Sequence, residues 1–400
     1  MLATSSTVLC SVPLSSRFYQ KAGSFAAPRF HPYLCRCRTG MVIRMENNLL
    51  ASKQASKQAS KQASKQYNSI DLAKFIFSFA VISIHTLPLF KCSVDWLVNL
   101  NEAIVRMAVP FFFLSTGFLL GNRIGFSDRS IRQDSELIKK YLLRICKMYI
   151  FWMIVYTPIA IIYYVKNNYS IIKAVSHYLI GFFFVGEQYN NWILWYLLST
   201  IYAIGCIWLL LRKGTNEKQL FILFALASLL VAVFSFIGKH SDFSSVGGMI
   251  QKAIRRIFSS GRIFNGLIYI PIGMILSKRR LPLLLCCTML FVGFVGRVLF
   301  QNEISTTVLL IVSSIGLFEI IESIELPNSK IYTALRNMST TIYLIHLLVW
   351  TGYYMLVYRT KTYGLDSFVV VSIVSALIAF LYWKHVDKRK TETPHLSAQT

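Results

Sequence analysis

Acidic side chains are scarce in this sequence, and charged side chains of either sign are few. The 400 residues include 17 Asp and Glu against 42 Lys and Arg, and only 15% of all residues are charged. So few charges cannot cover the surface of an ordinary soluble domain of this length. The chain is instead 55% hydrophobic with a mean hydropathy of +0.52, and its charges fall in clusters between long apolar runs. The sequence therefore predicts an all-α, polytopic transmembrane helical bundle.

Several signatures of soluble chemistry are also missing. No two cysteine pairs have zinc-ligand spacing, and the chain has no glycine-rich phosphate loop, serine-nucleophile elbow or metal-ligand set. We therefore expect no metal and no tightly bound cofactor. No basic stretch is interleaved with aromatic residues, so loops that face anionic lipid explain the net charge of +25 better than a nucleic-acid partner does.

The N-terminal segment differs in composition from the rest. Residues 1–45 contain no Asp or Glu and are rich in Ser and Arg, which is typical of a transit peptide. We favour the alternative that Met45, which opens "MENNLL", is the true start. Residues 51–66 read "ASKQASKQASKQASKQ", a low-complexity polar repeat. The predicted organisation is a disordered leader and cytoplasmic tail in 1–66, a membrane domain in 67–384 and a polar cytoplasmic tail in 385–400.

Ten apolar runs each approach the roughly 20 residues that a bilayer requires. The segment 177–187 is apolar but short, so we expect it to be interfacial or re-entrant. The predicted spans are 69–90, 104–121, 146–165, 191–211, 219–238, 262–277, 282–300, 304–321, 339–358 and 365–384.

The distribution of Lys and Arg between the loops predicts the orientation. With the N-terminus inside, the inner loops contain "RSIRQDSELIKKYLLR", "RKGTNEK", "SKRR", "SKIYTALR" and "KHVDKRK", and most outer loops contain fewer Lys and Arg. The positive-inside rule therefore places both termini in the cytoplasm. The outer loop 239–261 is an exception because it is basic; binding of an anionic substrate or headgroup would explain it.

The first predicted helix, "NSIDLAKFIFSFAVISIHTLPLF", carries Asp71, Lys74 and His85 although charges inside a bilayer are costly. Lys74 and His85 are eleven residues apart, which returns them to nearly the same helix face about 16 Å apart along the axis. Ionisable side chains at such depth usually face a bundle interior or a wet cavity. Two alternatives stay open: Asp71 and Lys74 as an interfacial pair, and His85 as a helix-end residue near headgroups.

Two blocks of the sequence are similar to a known family. "IDLAKFIFSFAVISIHTLP" resembles the first transmembrane helix of the acyltransferase-3 family of integral membrane acyltransferases, in which an Arg or Lys, ten residues and a His follow one another; Lys74 and His85 match this pattern. "RMAVPFFFLSTGFLLG" resembles the second block, with Arg106 before "VPFFF" and Ser115 in the small-residue turn. Thr116 is inserted into that turn, which is a departure from the family pattern.

Three later blocks follow in the family's order. "WILWYLLSTIYAI", "GRIFNGLIYIPIGMIL" and "MSTTIYLIHLLVW" resemble further family helices, and the likeness extends over residues 68 to 384. The similarity is greatest to the Gram-positive branch that includes the transmembrane half of membrane-bound serine racemases. We expect neither a racemase domain nor an esterase-like domain in this chain.

The resemblance implies a membrane O-acyltransferase of the bacterial plasma membrane. Such a protein moves an acyl group, often acetyl, from cytoplasmic acyl-CoA to a hydroxyl of an extracytoplasmic glycan, lipid-linked sugar or small metabolite. In this scheme His85 is the general base and Arg106 stabilises the developing oxyanion. The implied substrate-binding residues are Asp71, Lys74, Ser115, Trp195, Tyr196, Arg262, Asn265 and His346.

Two other classes of protein compete with this interpretation. A proton-coupled transporter would also use intramembrane Asp, Lys and His, but it should show two similar halves, and helices one to five do not resemble helices six to ten. A non-catalytic partner of a surface-polymer synthase is the other alternative, and in that case His85 should be dispensable.

Overall fold

The computed structural model describes residues 67–124, 131–213, 217–240, 262–300 and 303–392. These residues belong to one compact unit that spans residues 62–400. Every regular element within the described residues is helical. The predicted leader and repeat, most of the basic loop 239–261 and the end of the C-terminal tail lie outside the described residues.

Twelve α-helices are present in the described part of the chain. A short π-helix, Gly181–Val185, follows α5, and a short 3-10 helix, Arg262–Phe264, precedes α8. The α-helices are α1 Asn68–Thr86, α2 Asp95–Val105, α3 Ala108–Gly121, α4 Ile131–Lys166, α5 Ile171–Ile180, α6 Leu194–Leu211, α7 Glu217–His240, α8 Asn265–Leu276, α9 Leu283–Leu299, α10 Glu303–Ser323, α11 Lys330–Val357 and α12 Leu365–Glu392.

The all-helical architecture is confirmed for the described residues, and each of the ten predicted spans overlaps a helix. The predicted spans 262–277 and 282–300 correspond to shorter apolar helices, Arg262–Leu276 and Leu283–Leu299, and the predicted span 219–238 lies within α7, Glu217–His240. Seven helical segments among the described residues are long and apolar enough to cross a membrane: Asn68–Thr86, Asp95–Gly121, Gln133–Lys166, Leu194–Leu211, Thr306–Ser323, Lys330–Val357 and Leu365–Lys388.

The second predicted span begins earlier than expected and is interrupted. It starts at Asp95, and the break between α2 and α3 falls at Arg106 and Met107. Pro110 explains the position of the break, because a proline ring clashes with the carbonyl four residues before it, here that of Arg106. The break separates Arg106 from the straight axis of α3.

The first helix ends at Thr86, four residues before the predicted end. Leu87 adopts the left-handed conformation with φ of 45°, and its N–H donates to the Ser83 carbonyl at 3.0 Å. Pro88 follows, and the residue before a proline disfavours the helical conformation. The Gly364 N–H donates to the Thr86 carbonyl at 2.9 Å. The end of α1 is therefore tied to the start of α12.

Helices α3 and α8 cross at backbone contact. A Cβ at Gly117 would lie 2.0 Å from the Ile270 carbonyl oxygen, and a Cβ at Gly273 would lie 2.3 Å from the Leu114 carbonyl oxygen. Small residues at helix crossings permit this approach in membrane proteins. The crossing sits in the same apolar core as Phe111, beside α6 and α10.

The polarity of the described bundle suits a lipid environment. Large apolar side chains point outward, with exposed fractions of 65% for Ile154, 80% for Leu284 and 61% for Ile373. The hydroxyls of Ser115 and Ser199 are instead buried and hydrogen-bonded within the bundle. Apolar surface outside and satisfied polar groups inside are what a hydrocarbon solvent requires.

Candidate functional site

Two histidines meet where α1 ends against α11. The rings of His85 and His346 have centroids 5.4 Å apart and planes inclined by 33°. The ring of Trp192, just before α6, stacks beside His85 with centroids 6.2 Å apart. Helix α1 ends just before Leu87 and Pro88, so His85 lies in its last turn, at one end of the bundle. We call this region the His85 end.

The hydrogen bond of His346 defines which ring nitrogen is available. Its Nδ1 lies 3.2 Å from the Ile342 carbonyl oxygen. A carbonyl oxygen only accepts, so Nδ1 carries the hydrogen and the neutral ring keeps its lone pair on Nε2. Nε2 is buried and has no hydrogen-bond partner among the described residues. His346 therefore presents an unsatisfied acceptor beside His85.

Two cations act electrostatically on His85, namely Arg262 and Lys361. The Arg262 guanidinium pairs with the Glu187 carboxylate at 2.5 Å and lies 5.8 Å from the Trp195 ring centroid. The Lys361 Nζ lies 3.9 Å from the Trp192 ring centroid. The His85 end thus combines imidazole, cations and aromatic faces.

A row of hydroxyl side chains continues from the two histidines into the bundle. The Tyr343 ring lies 6.2 Å from His346 and 5.6 Å from Tyr196, measured between centroids. The Tyr196 hydroxyl lies 3.4 Å from Thr116 Oγ1, and Thr116 also hydrogen-bonds Tyr141. We call Tyr141, Thr116, Tyr196 and Tyr343 the hydroxyl row.

Exposed cations lie at the far end of the hydroxyl row. Arg123 and Arg144 are both exposed, and both act electrostatically on Tyr141. The row therefore lies between two exposed arginines on one side and the histidine pair on the other. The Tyr343 hydroxyl donates to the Ile193 carbonyl at 2.8 Å, so Tyr343 meets its neighbours in the row through ring contacts.

A second charged group gathers around the start of α1, at what we call the Asp71 end. The Asp71 carboxylate lies 3.5 Å from the Arg336 guanidinium, and Lys74 interacts electrostatically with both. The Asn68 side chain donates to the Pro327 carbonyl at 2.9 Å. Burial and the Glu322 carboxylate raise the pKa of Tyr67, which precedes the helix. These contacts anchor the start of α1 against α11 and the segment before it.

The sequence matches a known protein family over most of its length. The family model described as "Acyltransferase domain" matches residues 67–384. The chain belongs to the acyltransferase-3 family. The family resemblance inferred from Lys74, His85 and the later blocks is thereby confirmed.

Curated relatives of this acyltransferase-3 protein include two proteins of Enterococcus faecalis, each named amino-acid racemase. One is 25% identical over 231 residues, which cover 51% of this chain and 32% of the relative. The other is 27% identical over 216 residues, covering 53% of this chain and 27% of the relative. The similarity thus covers about a third or less of each racemase's length. No solved structure matches the chain.

The structure divides the predicted site residues of this acyltransferase-3 protein into groups. His85 and His346 lie together at the His85 end, with Trp195 and Arg262 nearby, and Tyr196 belongs to the hydroxyl row. Asp71 and Lys74 lie at the Asp71 end. The family motif that begins at Lys74 and ends at His85 therefore connects the two ends along α1.

Three predicted residues lie apart from the histidine pair. Arg106 is exposed and pairs with Glu102, and no contact among the described residues joins it to His85. The Ser115 hydroxyl donates to the Phe111 carbonyl within α3 at 2.6 Å. Asn265 is half-buried at the first position of α8. Their roles in binding or catalysis stay predictions.

Sequence reasoning missed Trp192, Lys361 and Arg336. Trp192 opens the same block as Trp195, so its position in that block was the available signal. Lys361 lies in the segment between α11 and α12 and had no motif around it. Arg336 lies in the predicted inner-loop stretch "SKIYTALR", and no sequence motif links it to Asp71, which its guanidinium approaches to 3.5 Å.

Proposed function

We propose that this protein is a membrane O-acyltransferase that moves an acyl group, with acetyl the first candidate, from cytoplasmic acyl-CoA to a hydroxyl of an extracytoplasmic acceptor. The observation that carries the proposal is the histidine pair with the hydroxyl row between it and exposed arginines. In the proposed orientation the Asp71 end is cytoplasmic and the His85 end faces outward, in a bacterial plasma membrane. The donor then enters beside Arg123 and Arg144, whose guanidinium groups suit CoA phosphates.

In the proposed step His85 is the general base. A neutral ring nitrogen of His85 takes the proton of the acceptor hydroxyl while the hydroxyl oxygen attacks the thioester carbonyl carbon. The new C–O bond forms, the C–S bond breaks, and the CoA thiolate leaves with the proton from the imidazolium. The products are an ester and free CoA, and the base returns to its neutral form.

Neighbouring groups support this step. The free Nε2 of His346 accepts a hydrogen bond from a second hydroxyl of the acceptor and so orients the reacting hydroxyl toward His85. A cation stabilises the negative charge that develops on the carbonyl oxygen. Arg106 is the family-based choice for that cation, and since it pairs with Glu102, this role requires Glu102 to release it during the reaction.

The test is transfer of radiolabel from acetyl-CoA to envelope material in membranes that contain equal amounts of each variant. We expect transfer by the wild type and a loss of about 10²- to 10⁴-fold in His85→Ala, the range for removal of a general base. His385→Ala is the matched control because His385 is exposed near the end of α12. It should behave as the wild type does.

Each outcome separates the candidate functions. Undiminished transfer in His85→Ala would exclude His85 as the base. A wild type that transfers no acyl group from acetyl-, propionyl- or succinyl-CoA would favour the transporter or the partner of a polymer synthase instead.

A further inference from the structure

Lys361 sits in an aromatic cage beside the histidine pair. Its Nζ lies 3.9 Å from the ring centroid of Trp192, 4.9 Å from that of Trp350 and 5.4 Å from that of Tyr363. Trp192 also stacks against His85, so one indole ring links the ammonium to the candidate base. We define the cage as these three aromatic residues around Lys361.

The charge of Lys361 is not balanced by an acid in the described part of the chain. Arg262, the other cation acting on His85, has the Glu187 carboxylate as its partner. Lys361 contacts aromatic faces, and none of the described carboxylates pairs with it. Aromatic faces attract a cation without neutralising it. The cage therefore keeps a net positive charge next to the reacting groups.

The cage is partly open. Lys361, Trp192 and Tyr363 are half-buried, whereas Trp350 is buried and closes the inner side. The exposed parts of Trp192 and Tyr363 next to an ammonium offer two kinds of contact at once: apolar packing for a C–H surface, and a point charge for an anion. A pyranose ring that bears a carboxylate or phosphate has both features.

The segment that carries Lys361 is held in place. The Trp350 indole N–H donates to the Thr362 carbonyl at 3.1 Å, and the Gly364 N–H donates to the Thr86 carbonyl at 2.9 Å. The second bond joins the segment to the residue that follows His85. A preorganised cation loses little conformational freedom when a ligand binds.

We propose that Lys361 and the aromatic cage form a binding subsite for an anionic sugar unit of the acceptor, adjacent to the histidine pair. The recognised group is a carboxylate or a phosphate on the sugar whose hydroxyl faces His85, or on its neighbour. This inference rests on the proposed acyl transfer and names the class of acceptor. Lys361 acts in it as a specificity-determining residue and not as a base.

Binding without any acyl donor tests the subsite. The full chain in phosphatidylcholine nanodiscs, which supply no net anionic lipid, is titrated with methyl glucuronide, glucose 6-phosphate and methyl glucoside, and binding is read by saturation-transfer NMR. We expect at least one of the two anionic sugars to bind roughly tenfold more tightly than the neutral one, the magnitude of one hydrogen bond to a charged group. The two anionic probes show whether a carboxylate or a phosphate is preferred.

Three variants test whether the preference for anionic over neutral sugars comes from Lys361. Lys361→Met should abolish it, and Lys361→Arg should retain it. Lys173→Met is the matched control. Like Lys361, Lys173 lies over an aromatic face, here the Tyr169 ring at 4.0 Å, but it belongs to α5 and not to the cage. The control should keep the wild-type preference.

Two results overturn the subsite: equal affinity of the wild type for charged and neutral sugars, or a preference that survives in Lys361→Met. If Lys361→Met does not fold, the comparison of charged and neutral sugars on the wild type still tests the subsite. Because no donor is present, the result is independent of acyl transfer. Selective binding without transfer would refute the proposed reaction but keep the subsite, and transfer without selective binding would do the reverse.

Discussion

His346 lies entirely inside the bundle, yet only one of its two ring nitrogens has a partner among the described residues. Leaving a buried acceptor unsatisfied costs about 1–3 kcal/mol, so such groups are rare in native structures. A second hydroxyl of an acceptor bound beside His85 would satisfy this nitrogen by donating to it.

Two amide substitutions test the two nitrogens of His346 separately. The amide of Asn reaches only the position of Nδ1, where its nitrogen can donate to the Ile342 carbonyl, whereas the amide of Gln also reaches the position of Nε2, where its oxygen can accept a hydrogen bond. We expect His346→Asn to keep the bond to the Ile342 carbonyl and to lower acyl transfer by about tenfold or more, the value of one well-placed hydrogen bond. His346→Gln should retain more activity than His346→Asn.

The readouts for this pair are kcat and KM for the acceptor, with the melting temperature as the control for folding. Similar melting temperatures with different transfer rates would support a role for Nε2. Equal transfer rates in both variants would assign His346 a structural role only.

At the scale of the helix, the crossing of α3 and α8 depends on the absence of a side chain at Gly117. Gly117→Ala would place a methyl group against the Ile270 carbonyl, and the helices would have to separate. We expect a destabilisation of about 1–3 kcal/mol, typical of overpacking. Gly205→Ala in α6 is the control because a Cβ there meets no atom within 4 Å; it should be neutral or stabilising by up to about 1 kcal/mol.

Thermal unfolding in detergent measures both glycine variants. A lower melting temperature in Gly117→Ala alone is the expected result. Equal melting temperatures in the two variants would show that the helices adjust to the added methyl group.

The helices themselves follow from the sequence, because long apolar runs admit few alternatives in a bilayer. Their ends were less predictable. The break at Arg106 depends on Pro110, which hydropathy does not register. The end of α1 depends on Leu87 and Pro88, in agreement with the alternative that places His85 at a helix end. The short apolar segment did remain short, as α5 and the π-helix Gly181–Val185.

At the scale of the molecule, paired charges collect at opposite ends of the bundle. Asp71 with Arg336 and Arg280 with Glu322 lie at the Asp71 end, and Arg262 with Glu187 lies at the His85 end. The proposed orientation places the first group in the cytoplasm. This assignment is open to a direct chemical test.

Single cysteines in a cysteine-free background report the orientation. Thr360→Cys lies beside Lys361, and Lys213→Cys lies just after α6; both native side chains are exposed. A membrane-impermeant maleimide should label position 360 in intact cells and position 213 only after permeabilisation. The opposite pattern would reverse the orientation and remove the argument for a cytoplasmic donor.

The site could be predicted from sequence only where its residues lie in one motif or block. His85, His346 and Tyr196 lie in such blocks, and their functional roles stay predictions. Lys361 and Trp192 could not be assigned because their meeting depends on how two connecting segments fold over the bundle end. Pairing across the molecule, as between Asp71 and Arg336, likewise requires the packing of α1 against α11.

The hydrogen bond from Gly364 to Thr86 constrains how this protein could change its acceptor during evolution. It fastens the segment that carries Lys361 to the residue after His85. An insertion between Lys361 and Gly364 would alter the cage and the setting of the base together. New acceptor preferences should therefore arise by substitution within a segment of fixed length, and a graft of this segment from a relative should preserve its three-residue spacing from Lys361 to Gly364.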